Sequence, residues 1–213
     1  MSPMIQWQSA PRLTAIYALR HLPNHGEWVD AQLAKTLSSQ SDLDESCKNS
    51  ETWLALQSGL ECDPEMSIRD IEQSIDRMET SIASMHSQLA EELQLRQEPL
   101  RQLWEAHGPG LLLAMMRAAK LELPEQVTVT TVLPLHGGGG EAIREYQNVV
   151  FENVLANPVA EVPETLRLAW LIGQLAPEAD PDSLVSHCIE AALDIGVIYQ
   201  DVSEIARRNW LVS

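Results

Sequence analysis

The sequence predicts a mainly helical α+β fold, with one long heptad-patterned helix and a small β-hairpin. Apolar residues recur at helical spacing in most segments of the 213-residue chain, and residues 68–89 follow a regular heptad. One segment, residues 126–135, is instead rich in Val and Thr, which is typical of a strand. Hydrophobic residues make up 45% of the chain, enough for a core.

The N-terminal segment, residues 1–60, is predicted to be helical. Pro11 suits the first position of a helix, and the apolar residues of 11–22 lie near one face. A second short helix is predicted from about Glu27 to Leu37. The polar residues 38–51 that follow are predicted to form a loop or linker.

The clearest pattern is the apolar stripe of the long helix, predicted over residues 67–98 as an arm or spine. Its apolar positions alternate at spacings of three and four residues, the a/d pattern of a coiled coil. Pro99 is predicted to stop or kink this helix. Two interpretations are open, packing within the chain and self-association. The stripe consists of Ile68, Ile71, Ile75, Met78, Ile82, Met85 and Leu89.

The strand at 126–135 needs a partner, because a single strand cannot satisfy its own backbone hydrogen bonds. Residues 145–152 can be interpreted as a helix, but they also show the alternation of a strand. We favour the strand, which gives a hairpin over residues 126–152.

Helices are predicted to complete the C-terminal α+β core, residues 99–213. Gly108-Pro109-Gly110 is predicted to break the helix that precedes the strand. Pro163 opens an apolar helix, and Asp180 suits the N-cap of a later one.

The composition excludes several classes of partner. The formal net charge is −17, and so acidic a chain repels phosphate backbones and anionic membranes. The longest apolar run, residues 111–116, is far shorter than the roughly 20 residues that span a bilayer. Three cysteines, an odd number, fit a reducing compartment. We therefore predict a cytoplasmic protein that binds neither nucleic acid nor membranes and needs no cofactor.

Four consecutive glycines between a histidine and a glutamate are the best indication of a ligand site. A phosphate-binding loop would continue with Gly-Lys-Ser/Thr, which is absent, and Glu141 would repel an anion. We predict a mobile hairpin loop, with any ligand bound against it. The candidate ligand-binding residues are His136, Gly137, Gly138, Gly139, Gly140 and Glu141, with His107 as a further candidate.

Metal and catalytic motifs are incomplete. Glu105 and His107 are two residues apart and face different directions on a helix, so no metal site is predicted. The order of strand, loop, strand and helix is similar to a zinc-peptidase scaffold, but residues 167–171 lack its two histidines. We therefore expect an interaction or assembly protein, a homo-oligomer joined through the long amphipathic helix, rather than an enzyme. The alternative is an enzyme or a small-ligand or metal-binding domain with its site at residues 136–141.

Overall fold

The computed structural model describes residues 2–21, 30–38, 68–154, 157 and 159–209. These residues form an α+β fold in which helices cover both faces of a four-stranded mixed sheet. The linker predicted at 38–51 lies outside the described residues except for position 38, and so do residues 27–29 of the second predicted helix.

The sheet has the strand order β1-β2-β4-β3. β1 and β4 both run parallel to the central strand β2, and β3 is antiparallel to β4. The sequence predicted β2 but assigned no strand to the N-terminal segment, which supplies β1. The strands are β1 (Met4–Ser9), β2 (Gln126–Val132), β3 (Gly140–Ile143) and β4 (Asn148–Glu152).

The predicted hairpin over residues 126–152 is wrong in its pairing. β2 and β4 are neighbours, but they run parallel, with Thr128 opposite Asn148. The chain returns between them through β3, which is joined to β4 by a short 3-10 turn, Arg144–Tyr146. The sequence did not indicate β3 because its residues, Gly-Glu-Ala-Ile, lack the β-branched alternation of a typical strand.

Seven helices are found in the described ranges. Each of them is too short or too polar to span a lipid bilayer. The predicted helix starts near Pro163 and Asp180 are confirmed, and the Asp180 carboxylate accepts a hydrogen bond from the Ser183 N–H at 3.2 Å. The helices are α1 (Pro11–His21), α2 (Ala31–Ser38), α3 (Ile68–Met85), α4 (Leu89–Ala119), α5 (Glu164–Gly173), α6 (Pro181–Asp194) and α7 (Gln200–Asn209).

The single long helix predicted over residues 67–98 is two helices, α3 and α4. Near the end of α3, the hydroxyls of Thr80, Ser81 and Ser84 donate to backbone carbonyls one turn earlier. Such bonds compete with the helical ladder and favour a bend or an end. Leu89, which the pattern placed on the same rod as Ile75, is therefore the first residue of α4.

α4 is 31 residues long and contains both Pro99 and Pro109. The helix therefore does not stop at Pro99, and the break predicted at Gly108-Pro109-Gly110 is wrong. A proline leaves unbonded the carbonyl four residues earlier. Those carbonyls belong to Leu95 and Glu105, which are exposed, so water can satisfy them. Gly108 is required for packing, since a Cβ there would overlap the indole of Trp104.

The sheet separates two hydrophobic cores. Most of α4 and helices α5 to α7 pack on the face that carries Val129 and Phe151. Helices α1, α2 and α3 and the start of α4, with Leu89 and Leu93, pack on the face that carries Val150. The apolar stripe lies in the second core: Ile75 and Ile82 are buried there within the same chain. Met78 and Leu89 are also buried and Met85 is half-buried, whereas the side chains of Ile68 and Ile71 lie outside the described ones.

Candidate functional site

The carboxyl ends of the parallel strands β2 and β4 bring a set of polar residues together. The glycine stretch begins shortly after β2, and Glu152 is the last residue of β4. Because parallel strands end at the same edge of a sheet, the two segments meet. The meeting point is the carboxylate of Glu152, whose side chain is 0% exposed.

The glycine loop wraps around this carboxylate. The backbone N–H groups of His136, Gly138 and Gly139 donate to it at 3.0, 3.0 and 2.8 Å. His136 Nδ1 lies 2.7 Å from Oε1, and the Tyr17 hydroxyl donates to the same oxygen at 3.2 Å. Successive N–H groups of this kind form an anion-binding nest. The nest is filled by the protein's own carboxylate.

The charge on Glu152 is set by two opposed effects. Burial raises the pKa of the carboxyl group, because it disfavours the charged form. The hydrogen bonds from the His136 ring and from the loop N–H groups favour the charged form and outweigh burial. The net result is a pKa below the ordinary value. Glu152 is therefore a charged anchor at neutral pH.

Steric constraints explain why the loop needs glycines. Gly137 and Gly138 have φ of 80° and 129°, which other residues rarely adopt. A Cβ on Gly138 would also lie 2.6 Å from an Arg167 nitrogen, and one on Gly140 would lie 2.7 Å from the Val150 carbonyl. The loop is thus a turn that is hydrogen-bonded to Glu152. It leads from β2 into β3, so it does not join the two strands of the predicted hairpin.

α1 supplies one wall of the site. The Tyr17 and His21 rings are in tilted contact, with centroids 4.4 Å apart, and His21 meets His136 edge-on at 5.0 Å. Arg20 pairs with Glu141 at 2.9 Å. Burial, followed by the nearby His136 and Arg20, lowers the pKa of His21 to about 4, so this ring is neutral at pH 7. Burial raises the pKa of Glu141, and Arg20 only partly offsets it.

α5 supplies the opposite wall through Arg167, which is 2% exposed. Its guanidinium donates to the Glu152 carbonyl at 3.0 Å and to the Glu164 carboxylate at 3.2 Å, and it lies over the Phe151 ring. Burial lowers the pKa of Arg167 to about 10, so it keeps its charge at neutral pH. Burial also raises the pKa of Glu164 to about 6, although Arg167 opposes the shift.

The structure brings together most of the predicted ligand-binding residues. His136, the four glycines and Glu141 are all part of the cluster. His107 takes no part in the hydrogen bonds or ring contacts described for this cluster. It is exposed in the middle of α4 rather than at a helix end. Within the described residues, no group of three or more His, Cys, Asp or Glu side chains is arranged to hold a metal ion.

The sequence did not single out Tyr17, His21, Glu152 or Arg167 as members of the site. One signal for Arg167 was present: after the first residue of α5, it is the only charge in an otherwise apolar helix. A buried arginine needs acceptors, and their presence implies a polar cluster. Glu152 carried a weaker signal of the same kind, because it is the only charge of β4 but stands at the end of the strand, where a charge is often exposed.

Several buried polar atoms around this edge make no hydrogen bond in the described part of the chain. In native proteins such atoms are rare, and each one calls for a bound molecule or another specific cause. Two of these atoms lie on the α1 side of the edge, near His136. The others belong to the residue that follows Glu152 and to the second residue of α5. They are His21 Nε2, Glu141 Oε1, both amide atoms of Asn153 and Thr165 Oγ1.

Comparisons with known proteins assign no family. No protein-family model matches the chain. Searches of curated proteins and of solved structures find no match either. The function must therefore be argued from the chemistry of the site.

Proposed function

We propose that this chain is a small-ligand-binding domain whose site is the polar cluster at the carboxyl ends of β2 and β4. One observation carries the proposal: His21 Nε2 and Glu141 Oε1 are buried without hydrogen-bond partners among the described residues. A buried polar atom left unbonded costs about 1–3 kcal/mol. A polar ligand that contacts both atoms would recover that free energy on binding.

The position of the cluster supports a binding role. In open sheets with helices on both faces, ligands bind outside the carboxyl ends of parallel strands. The side chains of Arg20, His136 and Glu141 are 20%, 23% and 21% exposed, so the rim can be reached from solvent. A purely structural cluster would be cheaper to build from apolar residues, because buried charges are costly even when paired.

The chemistry of the site indicates the kind of ligand. The loop N–H groups already bind Glu152, which argues against a phosphate in the glycine nest. Glu141 offers a carboxylate oxygen, which is a hydrogen-bond acceptor. We therefore propose a small, polar, uncharged or cationic ligand that donates hydrogen bonds through hydroxyl or amino groups, bound in the cytoplasm.

The experiment is a thermal-shift screen of small polyols, amines, amides and divalent cations. A ligand that binds only the folded state raises the melting temperature as the logarithm of its saturation. Glu141→Gln keeps the size of the side chain but changes the acceptor, and the exposed Glu145→Gln is its matched control. We expect a hit that stabilises wild type and E145Q but not E141Q. The absence of any hit, or an equal response in E141Q, contradicts the proposal.

A second candidate function is assembly. The contact between copies of the chain would be the outer face of α4, instead of the stripe at 68–89. Leu95 and Leu103 are 72% and 44% exposed there, two turns apart. The occupant would be a second copy of the chain. Light scattering at high micromolar concentration tests it: wild type should self-associate and the double variant Leu95→Gln, Leu103→Gln should not. A wild-type monomer at that concentration rules this candidate out.

A further inference from the structure

A cleft opens at the amino-terminal edge of the sheet, opposite the edge that carries the polar cluster. Its volume is about 840 Å³, within the range of roughly 300–1,000 Å³ that is common for small-molecule sites. Three segments line it: residues 2–4 at the start of β1, the last turns of α4, and the connection 120–125 that leads into β2. The cleft is separate from the site of the proposed function, so an inference about it goes beyond that function.

Hydrogen bonds hold the walls of the cleft together. The Met4 N–H donates to the Glu125 carbonyl at 2.9 Å, which fixes the start of β1 against the connection to β2. The Ser2 hydroxyl donates to the Pro109 carbonyl of α4 at 3.3 Å. The folded chain therefore forms the cleft before a ligand arrives, and little further ordering of the chain opposes binding.

The buried part of the lining is apolar. Leu112 and Met116, one turn apart on α4, are both buried, and Leu123 adds a half-buried side chain from the connection. Met4 lies at the opening and is 60% exposed. Contact of apolar surface with water costs free energy, and an apolar group that covers the surface recovers it. Flexible methionine side chains can also adapt to the shape of such a group.

Two cations lie at the exposed rim of the cleft. Arg117 belongs to the last turn of α4, and Lys120 directly follows the helix, with its N–H donating to the Arg117 carbonyl at 3.3 Å. Both side chains are exposed, and no carboxylate of the described residues forms an ion pair with either of them. A pair of cations beside an apolar cleft is complementary to a molecule with an anionic head and an apolar tail.

The backbone of Lys120 indicates that its side chain is used. Its φ is 55°, in the left-handed region, where glycine most often ends a helix and a lysine strains the backbone. A cation near the end of a helix is favourable for the helix dipole, but Arg117 already supplies that charge. The fold alone would therefore be served better by glycine at position 120.

The lining also contains two carboxylates, Glu122 and Glu125, which would favour a cation. Both are exposed and both belong to the connection rather than to α4. The backbone hydrogen bond between Lys120 and Arg117 keeps the two cations within one turn of each other, where both can pair with a single head group. The cations are therefore the charges that are better placed to act together.

We propose that the cleft binds a free carboxylate with an apolar tail. The carboxylate pairs with Arg117 and Lys120, and the tail covers Leu112, Met116 and Met4. The carboxylate belongs to a soluble molecule rather than to an anionic membrane surface, which a chain with a formal net charge of −17 repels.

Octanoate, octanol and octylamine are the probes, because they share one alkyl chain and differ in the charge of the head group. NMR of the methionine methyl groups localises their binding. We expect octanoate to shift the signals of Met4 and Met116 in a saturable way and at lower concentration than the other two compounds. Met78, buried in the second core, is the internal control and should not shift. Tighter binding of octylamine, an equal shift of Met78, or no shift with octanoate overturns the proposal.

Variants at the rim separate recognition of the head group from folding. Lys120→Gly removes the cation and relieves the backbone, so it should melt no lower than wild type. It should weaken octanoate binding by roughly two- to fivefold, the effect of one exposed ion pair, and leave octanol binding unchanged. Arg117→Gln should weaken octanoate binding to a similar extent, whereas Arg208→Gln, an exposed cation on α7, is the matched control. Equal octanoate affinity in wild type, K120G and R117Q would show that no head group is recognised, which contradicts the proposal.

Discussion

Glu152 is the residue on which the geometry of the glycine loop depends. Its carboxylate accepts hydrogen bonds from three loop N–H groups, from His136 Nδ1 and from the Tyr17 hydroxyl. Glu152→Gln would remove the charge and place an NH2 group opposite some of those donors. We expect a loss of about 3 kcal/mol in the free energy of unfolding, measured by urea denaturation, because buried donors would be left without an acceptor. The exposed Glu145→Gln should change it little, and an equally small loss in E152Q would contradict this account.

The buried ring of His21 should make stability depend on pH. Its pKa is about 4 in the folded protein and roughly 6.5 in the unfolded chain, so only the unfolded chain takes up a proton between these values. Stability should therefore fall as the pH decreases from 6.5 to 4. The loss should be about 3 kcal/mol, since one pKa unit corresponds to about 1.4 kcal/mol.

His21→Gln isolates this effect, because glutamine does not titrate. The difference in unfolding free energy between wild type and H21Q should change by that amount between pH 7 and pH 4. Other titrating groups, such as Glu164, are present in both proteins and largely cancel in the difference. Parallel pH profiles for the two proteins would show that His21 is not shielded from protonation.

At the residue scale, the sequence predicted only part of the site. His136 and Glu141 were found because they flank an unusual run of glycines. Tyr17 and His21 were not, because their neighbours are set by the packing of α1 on the sheet, which no local pattern encodes. His107 was chosen for its place next to a predicted helix break that does not exist.

The glycine loop is an element whose conformation, rather than its flexibility, requires glycine. Gly138→Ala would put a side chain at a φ of 129° and within 2.6 Å of Arg167. We expect a loss of about 2 kcal/mol from strain and displacement. Gly110→Ala is the matched control: nothing lies within 4 Å of its Cβ position in α4, so stability should rise by up to about 1 kcal/mol. If both variants changed the melting temperature by the same amount, the loop would not require glycine for its conformation.

The stripe on α3 shows how far a heptad pattern can be interpreted. Four of its seven positions are buried and Met85 is half-buried, whereas the side chains of Ile68 and Ile71 lie outside the described ones. The pattern could not identify the partner helix, which is α1 of the same chain. Ile75→Glu would bury an unpaired charge in this core. We expect it to lower the free energy of unfolding by more than about 3 kcal/mol. Denaturation monitored by circular dichroism measures this change. A folded variant that only changes its oligomeric state would instead support an interface between chains.

At the scale of the whole molecule, the sequence predicted the α+β class but not the sheet. The central strand was recognisable from its Val and Thr content. Its pairing with β1 joins Met4 to Gln126, across most of the described helices, and such distant contacts have no local signal. The interpretation of 145–152 as a strand was correct for 148–152, but a hairpin was the simplest pairing and the chain uses a parallel one.

The charge distribution of the whole molecule should prevent binding to duplex DNA. Acidic residues number 31 against 14 Lys and Arg, and several of those cations are already paired with the chain's own carboxylates. Arg12 pairs with Glu72 and Asp76, and Arg20 pairs with Glu141, so neither forms part of a basic patch. Binding to DNA requires cations that release counterions from the phosphates. We expect no change in the fluorescence anisotropy of a labelled duplex up to high micromolar protein at physiological salt. Submicromolar binding that weakens steeply with added salt would reveal a basic surface and contradict this expectation.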